Sequence, residues 1–342
     1  MRRAQTALQW LAAAGGLAII VLLWSRNGAA RPVALLRASG PWVLLALLPF
    51  FVATSFDALG WLQLIKRLGK QPAFVEVLRV RFSLEAIILT LPGGSLVAES
   101  SAPALLANRA GMPVNDAVVA VAARRWMTLR SHALYIAAGA LVGWGALRQA
   151  SPRLIGRPGL GWLSLALAIA PLAASLSLQA MLSRGSAAHA LQRRLSQLPG
   201  RAGRWFAARE AAFAGVDVEF RHFARGSIPT WPALAAYAGS WLMESVETWT
   251  ILRLLGAGVP FATVLAFEPV LSLLRSAAFF APAGWGVQDL GYVAFLGGGP
   301  VAVAFVAMKR LKELAWAAIG WALLAAGRRT RPQLSAAAQL AA

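Results

Sequence analysis

Residues 84–99 read LEAIILTLPGGSLVAE, and residues 274–289 read LRSAAFFAPAGWGVQD. Each is an apolar run broken in its middle, by Leu91-Pro92-Gly93-Gly94 in the first and by Ala281-Pro282-Ala283-Gly284-Trp285-Gly286 in the second. Proline removes a backbone donor and glycine weakens a helix, so each stretch (82–108 and 262–299) reads as two half-helices around an irregular turn. Inside a bilayer such backbone survives only within protein or beside a water-filled cavity. Two re-entrant broken-helix hairpins are the expected outcome.

The bilayer itself is read from the rest of the chain. Apolar residues make up 58% of the 342 positions and charged residues only 13%, about half the charged share of a soluble domain. The apolar residues fall in long blocks, 7–24, 41–65, 126–147, 160–182, 231–255 and 301–326. Each reaches the roughly 20 residues that cover a hydrocarbon core. The expected fold is an all-α polytopic membrane protein in a single transmembrane domain, 1–342, with about six full spans besides the two hairpins. Met1-Arg2-Arg3 ahead of the first block resembles a signal peptide, but the block is long and no small-residue cleavage site follows, so an uncleaved first span is expected.

The formal charge of +20 has a location. Basic residues crowd into 66–81, into 184–225 and into Arg328, Arg329 and Arg331. Cytoplasmic loops retain Lys and Arg, which accounts for these clusters without a nucleic-acid partner and puts both termini in the cytoplasm. Anionic phospholipids of that leaflet are the expected partners of the clusters. Within 184–230, Leu191, Leu195 and Leu198 share one face with Arg193 and Arg194 off it, and Trp205, Phe206, Phe213, Phe220 and Phe223 follow. This suits an amphipathic loop lying in the cytoplasmic interface, and equally a face packed on the bundle. The chain has no cysteine, and His132, His189 and His222 are scattered. No metal site and no cofactor are expected.

The two broken stretches resemble each other. Aligning Pro92 with Pro282 also matches Gly94 with Gly284 and Val97 with Val287, and sets Glu99 against Asp289. Seven residues before each proline stands a charge, Glu85 or Arg275, and further on Arg124-Arg125 matches Lys309-Arg310 after a five-residue shift. Two pseudo-repeats, 75–148 and 262–327, are expected. On the topology above they enter from opposite sides, as an inverted repeat with a substrate site between the broken helices.

Eight acids lie within the apolar stretches: Asp57, Glu85, Glu99, Glu244, Glu247, Glu268, Asp289 and Glu313. With them go Arg130, Arg253, Arg275, Lys309, Arg310 and Lys312. One ionised group at a helix centre costs about 2.5–3.5 kcal/mol on insertion scales, so most of these must pair or line a cavity. Pairing or snorkelling suits Asp57, Arg253 and Glu313. A cavity for an anionic or polar lipid headgroup is expected from Glu85, Glu99, Arg124, Arg125, Arg130, Glu268, Arg275, Gln288, Asp289, Lys309 and Arg310, because arginine forks bind phosphate oxygens in pairs. Glu244 and Glu247, three apart on one helix face, join that set. Proton coupling and structural pairing both remain open for them. Alanine at Arg125 or Arg310 is expected to cut lipid transfer without harming folding.

Leu91-Pro92-Gly93-Gly94…Glu99 through Arg124-Arg125, and above all Pro282-Ala283-Gly284-Trp285-Gly286-Val287-Gln288-Asp289, resemble the flippase-like transmembrane region of lysylphosphatidylglycerol synthases and its stand-alone relatives, including hopanoid-associated members. The resemblance runs over about residues 40–326. Asp289 stands where glutamate is commoner. Nothing like the soluble aminoacyl-transferase domain follows Arg331, so the resemblance implies lipid movement between leaflets of a bacterial cytoplasmic membrane, without lipid aminoacylation. A membrane-embedded transferase using Glu99 or Asp289, or a non-catalytic partner in lipid synthesis, are the competing functions. The transporter alone accounts for repeat and buried charges together.

Overall fold

The computed structural model describes residues 28–278 and 281–329, with Ala18, Val21, Leu22, Trp24 and Ser25 besides. Most of the expected first span, 7–24, and the basic Arg331 lie outside the described residues. Those described are overwhelmingly helical and include no strand.

A short helix, α1 (Ala30–Ala38), precedes a 3-10 segment at Gly40–Leu47 that runs straight into α2 (Leu48–Arg67). Next come α3 (Phe74–Thr90) and α4 (Gly94–Ala110), the two arms of the first broken stretch. A long helix, α5 (Val114–Val142), is followed by α6 (Trp144–Ile155) and α7 (Leu160–Arg184). Three shorter helices follow, α8 (Ala187–Ser196), α9 (Arg201–Ala207) and α10 (Glu210–Arg225). The second half is α11 (Trp231–Leu254), α12 (Phe261–Ala277), a 3-10 turn at Pro282–Gly284, α13 (Val287–Leu296) and α14 (Pro300–Arg329).

By length and composition, Gly40–Arg67 and Leu160–Met181 are the two described helices apolar enough to cross a membrane. α5, α11 and α14, at 29, 24 and 30 residues, exceed the ~30 Å of a hydrocarbon core at 1.5 Å per residue. Their mean hydropathy is lowered by the charged residues they turn inward. Outward they present Leu134, Leu141, Leu242, Leu311, Leu314 and Ile319, all exposed. Charges inside and leucines outside is the arrangement hydrocarbon imposes. This is a helical membrane protein.

Packing explains one boundary the sequence does not reveal. The apolar block 126–147 reads as one span, yet α5 stops at Val142 and α6 starts at Trp144. A Cβ at Gly143 would collide with Ala266 of α12, and one at Gly139 with the Leu265 carbonyl oxygen. Small residues let the two backbones touch there, and the chain turns at the contact. α2 packs along α11, α5 along α7, and α3 along α14. One apolar cluster, including Trp61, Leu106, Met127 and Phe220, ties α2–α5 to α10. Another, with Ile251, Leu252, Tyr292 and Phe305, holds α11–α14.

Part of the segment 184–230 packs on the bundle. Val216, Phe220 and Phe223 of α10 are buried in the first cluster, with Phe223 edge-on to Trp126 of α5. Arg67 donates to the carbonyls of Phe223 (2.7 Å) and Ala224 (3.1 Å), satisfying the C-terminal end of α10. Asp217 caps α8, accepting from the Ala188 and His189 amides at 2.9 Å each. Leu191, Leu198 and Trp205 remain exposed beside Arg193 and Arg194.

Candidate functional site

A cavity of about 210 Å³ lies between α2, α3, α4, α5, α11, α12 and α14. Both broken stretches reach it. Ser95 and Glu99 project from the start of α4, while Ala281, Ala283 and Gly284 belong to the second break. Local backbone puts them there. Gly93 adopts φ +67°, which glycine tolerates, and a Cβ at Gly94 would overlap the Ile87 carbonyl oxygen of the opposite arm. At the second break Ala283 holds φ +48°, uncommon for a residue with a Cβ.

Next to the first break, Asp57 of α2 joins two arginines. Arg124 donates Nε to Oδ1 (2.9 Å) and Nη2 to Oδ2 (2.7 Å). Arg81 Nε lies 2.9 Å from Oδ1, too far off line to count as a hydrogen bond, and its Nη2 pairs with Glu85. Glu99 is held more loosely, 3.6 Å from Arg124 Nη1 and 4.0 Å from Arg125 Nη1. Arg125 and Glu99 are 54% and 35% exposed, the most open of these pairs.

The other side of the cavity is tighter. Arg275 donates Nη2 to Glu244 at 2.7 and 3.0 Å. Glu247 accepts from Lys309 at 3.1 Å and from Lys312 at 2.8 Å to both oxygens. Behind the wall Glu268 accepts from Thr248 (2.8 Å) and Tyr292 (2.6 Å), 3.9 Å from Lys309. Asp289, fully buried, accepts from Arg310 at 2.6 Å and from the Gly286 amide at 2.9 Å. It therefore occupies the amino end of α13 itself. Arg310 also pairs with Glu313. Isolated buried charges are prohibitive, and close pairing is what lets so many persist together.

Of the expected cavity residues, Glu85, Glu99, Arg124, Arg125, Glu244, Glu247, Arg275 and Lys309 line the wall. Glu268, Gln288, Asp289 and Arg310 lie behind it, Gln288 against the Tyr292 hydroxyl at 3.2 Å. Arg130 faces away, donating to Gln179 of α7 at 2.6 Å over the Trp126 ring. Its helix turn points toward α7, a direction periodicity alone does not fix. Of the break residues, Gly284 lines the cavity, whereas Pro92, Gly93, Gly94 and Gly286 shape the turns beside it.

Four charged wall residues were absent from the expected set: Asp57, Arg81, Lys312 and Glu313. Arg81 reads as the end of the basic run 66–81, but it is 5% exposed within α3. Its position four before Glu85 was the available signal. Lys312, three after Lys309 on the same face, carried a similar one. With these the wall holds six carboxylates, Asp57, Glu85, Glu99, Glu244, Glu247 and Glu313, and six cations, Arg81, Arg124, Arg125, Arg275, Lys309 and Lys312. Phe50 lies beneath Lys312 at 4.4 Å and packs with Trp316, which stacks on Phe82. The described residues hold no cluster of His, Cys, Asp and Glu suited to a metal.

No curated protein matches the chain. Residues 9–319 match the lysylphosphatidylglycerol synthase TM region, and the match takes in both broken stretches and every charged residue of the cavity wall. The chain belongs to the family of the lysylphosphatidylglycerol synthase transmembrane region.

Proposed function

We propose that this protein moves an amphipathic lipid between the leaflets of a bacterial cytoplasmic membrane, its polar headgroup passing through the charged cavity while the acyl chains stay in lipid. The observation that carries this reading is the meeting of both proline–glycine breaks and twelve charged side chains in one cavity. A membrane-embedded polar site at broken helices is where transporters hold their cargo. The family supports a lipid-related role.

Matching contacts support the inverted repeat. Glu99, after the first break, meets Arg124 and Arg125 of the next long helix. Asp289, after the second, meets Arg310 of the next long helix. The hairpins are re-entrant in this reading, both termini are cytoplasmic, and the exposed face of Leu191, Leu198 and Trp205 rests on anionic phospholipids with Arg193 and Arg194 at the phosphates. The protein is a carrier and not an enzyme.

The test is reconstitution of the full chain into liposomes carrying a headgroup-labelled lipid, with a membrane-impermeant quencher outside. The inner-leaflet label should become quenchable with the protein and stay protected in protein-free vesicles. Equal protection in both, with the protein folded and inserted, would remove this function.

A further inference from the structure

Behind the wall of six carboxylates and six cations stand two further carboxylates, Glu268 and Asp289, and one further cation, Arg310. One acid is left over in a buried set. Six of the eight carboxylates accept a hydrogen bond from an arginine or a lysine. Glu99 does not, but it is partly open on the cavity. Glu268 does not either, and it is fully buried. Its oxygens meet two hydroxyls, Tyr292 at 2.6 Å and Thr248 at 2.8 Å, while Lys309 stands off at 3.9 Å.

The charged and titratable groups facing Glu268 are Glu244 and Glu247 of α11, Tyr292 of α13, Lys309 of α14, Tyr135 of α5 and Arg275 of its own helix α12. Both cations are hydrogen-bonded elsewhere, Arg275 to Glu244 and Lys309 to Glu247. The two phenols carry no charge at neutral pH. A buried acid with no cation of its own takes a proton rather than remain charged. The hydrogen bonds have room for one. Gln288 donates to the Tyr292 hydroxyl at 3.2 Å, which directs the phenol proton at Glu268 Oε1. Oε2 can then hold a proton and donate it to Thr248 Oγ1, because a hydroxyl accepts as well as donates.

We propose that Glu268 is a proton-binding site that gates lipid transfer; the gating rests on the transport reading above, the proton does not. With Glu268 protonated, the wall and the residues behind it are neutral together. Losing the proton to the cavity leaves a carboxylate beside Lys309, whose ammonium turns to it from Glu247, while Glu247 keeps Lys312 on both oxygens. Lys309 and Glu247 both line the cavity, so the exchange reshapes the wall where α11 meets α14. Tyr292 lies on the helix that follows the second break, so the proton is felt there as well.

The test is infrared spectroscopy of the full chain in detergent at neutral pH, read at the C=O stretch of a protonated carboxyl. Melting and lipid transfer are measured on the same preparations. Wild type should show the band, Glu268→Gln should lose it, and Glu210→Gln, at the exposed start of α10, should keep it. Glutamine reproduces the hydrogen bonds of the protonated acid, so Glu268→Gln should melt with wild type. It should nevertheless slow transfer about tenfold, because the site can no longer empty. No band in wild type, a band undiminished in Glu268→Gln, a clearly lower melting point of that variant, or wild-type transfer by it would each overturn the proposal. Band and melting are read without transport. Their failure with lipid transfer intact refutes this inference alone, and their success in a protein that moves no lipid refutes the transport reading alone.

Discussion

Asp57 of α2 and Arg124 of α5 form a two-pronged pair, with hydrogen bonds of 2.9 and 2.7 Å between residues 67 positions apart. The same carboxylate lies 2.9 Å from Arg81 Nε, so one side chain fastens three helices.

Asp57→Ala should therefore act on stability before function. It leaves Arg81 and Arg124 short of countercharge, and breaking a buried pair from one side costs about 3–5 kcal/mol. Thermal unfolding in detergent should show a clear loss for Asp57→Ala, and a loss within error would mean that solvent reaches both arginines.

Arg125 and Arg310 should part company. Arg310 is buried between Asp289 and Glu313, so Arg310→Ala strands two carboxylates and should destabilise by about 3–5 kcal/mol. This differs from what the sequence suggests, because the sequence does not show that Arg310 itself lies behind the wall between two acids. Arg125 is half exposed on the cavity, so Arg125→Ala should slow lipid transfer about tenfold at unchanged stability. Measuring melting and transfer on the same two preparations decides it.

Gly94→Ala should destabilise by about 1–3 kcal/mol, since its methyl group would overlap the Ile87 carbonyl oxygen. Gly145→Ala, at a position with open space around it, should be near neutral. Similar melting of the two variants would mean that the arms of the first break are not in contact.

Glu219 of α10 gives the pH dependence. Burial, with a shared hydrogen bond to Asp116 and its charge, raises the Glu219 carboxyl above the ordinary range. A raised acid binds its proton more tightly in the folded state, so its contribution is full below the unfolded pKa and lost as pH rises through the folded one. Wild-type stability should fall as pH rises above about 4.5, and Glu219→Gln should flatten that slope. A steeper slope in the variant would contradict the assignment.

Topology is open to single-cysteine labelling, since the chain has no cysteine of its own. A cysteine at Gly258, between α11 and α12, should react with an impermeant reagent from outside the cell. Labelling from the cytoplasm would undo the opposite entry of the two hairpins.

Much of the helical layout is legible locally. The run 231–255 corresponds to Trp231–Leu254, and the breaks at Pro92 and Pro282 fall between helices, because proline and apolar length act within a few residues. Partnership between charges acts across the fold. Asp57 meets Arg124 only through the packing of α2 on α5, and Arg81 looks like a loop residue until α3 is seen to carry it inward. Asp289 lies three after Gly286 and turns back to cap its own helix, a local motif that its match with Glu99 obscured.

The equal count of opposite charges on the cavity wall also bears on electricity. A resting membrane does work only on net charge displaced along its field, about 2.3 kcal/mol per elementary charge for each 100 mV. Side chains coupled as closely as Glu247 with Lys312, at 2.8 Å, travel as dipoles when their helices tilt. Helix motion in such a bundle should therefore displace little charge, so any dependence of lipid transfer on membrane voltage should come from the net charge of the cargo itself.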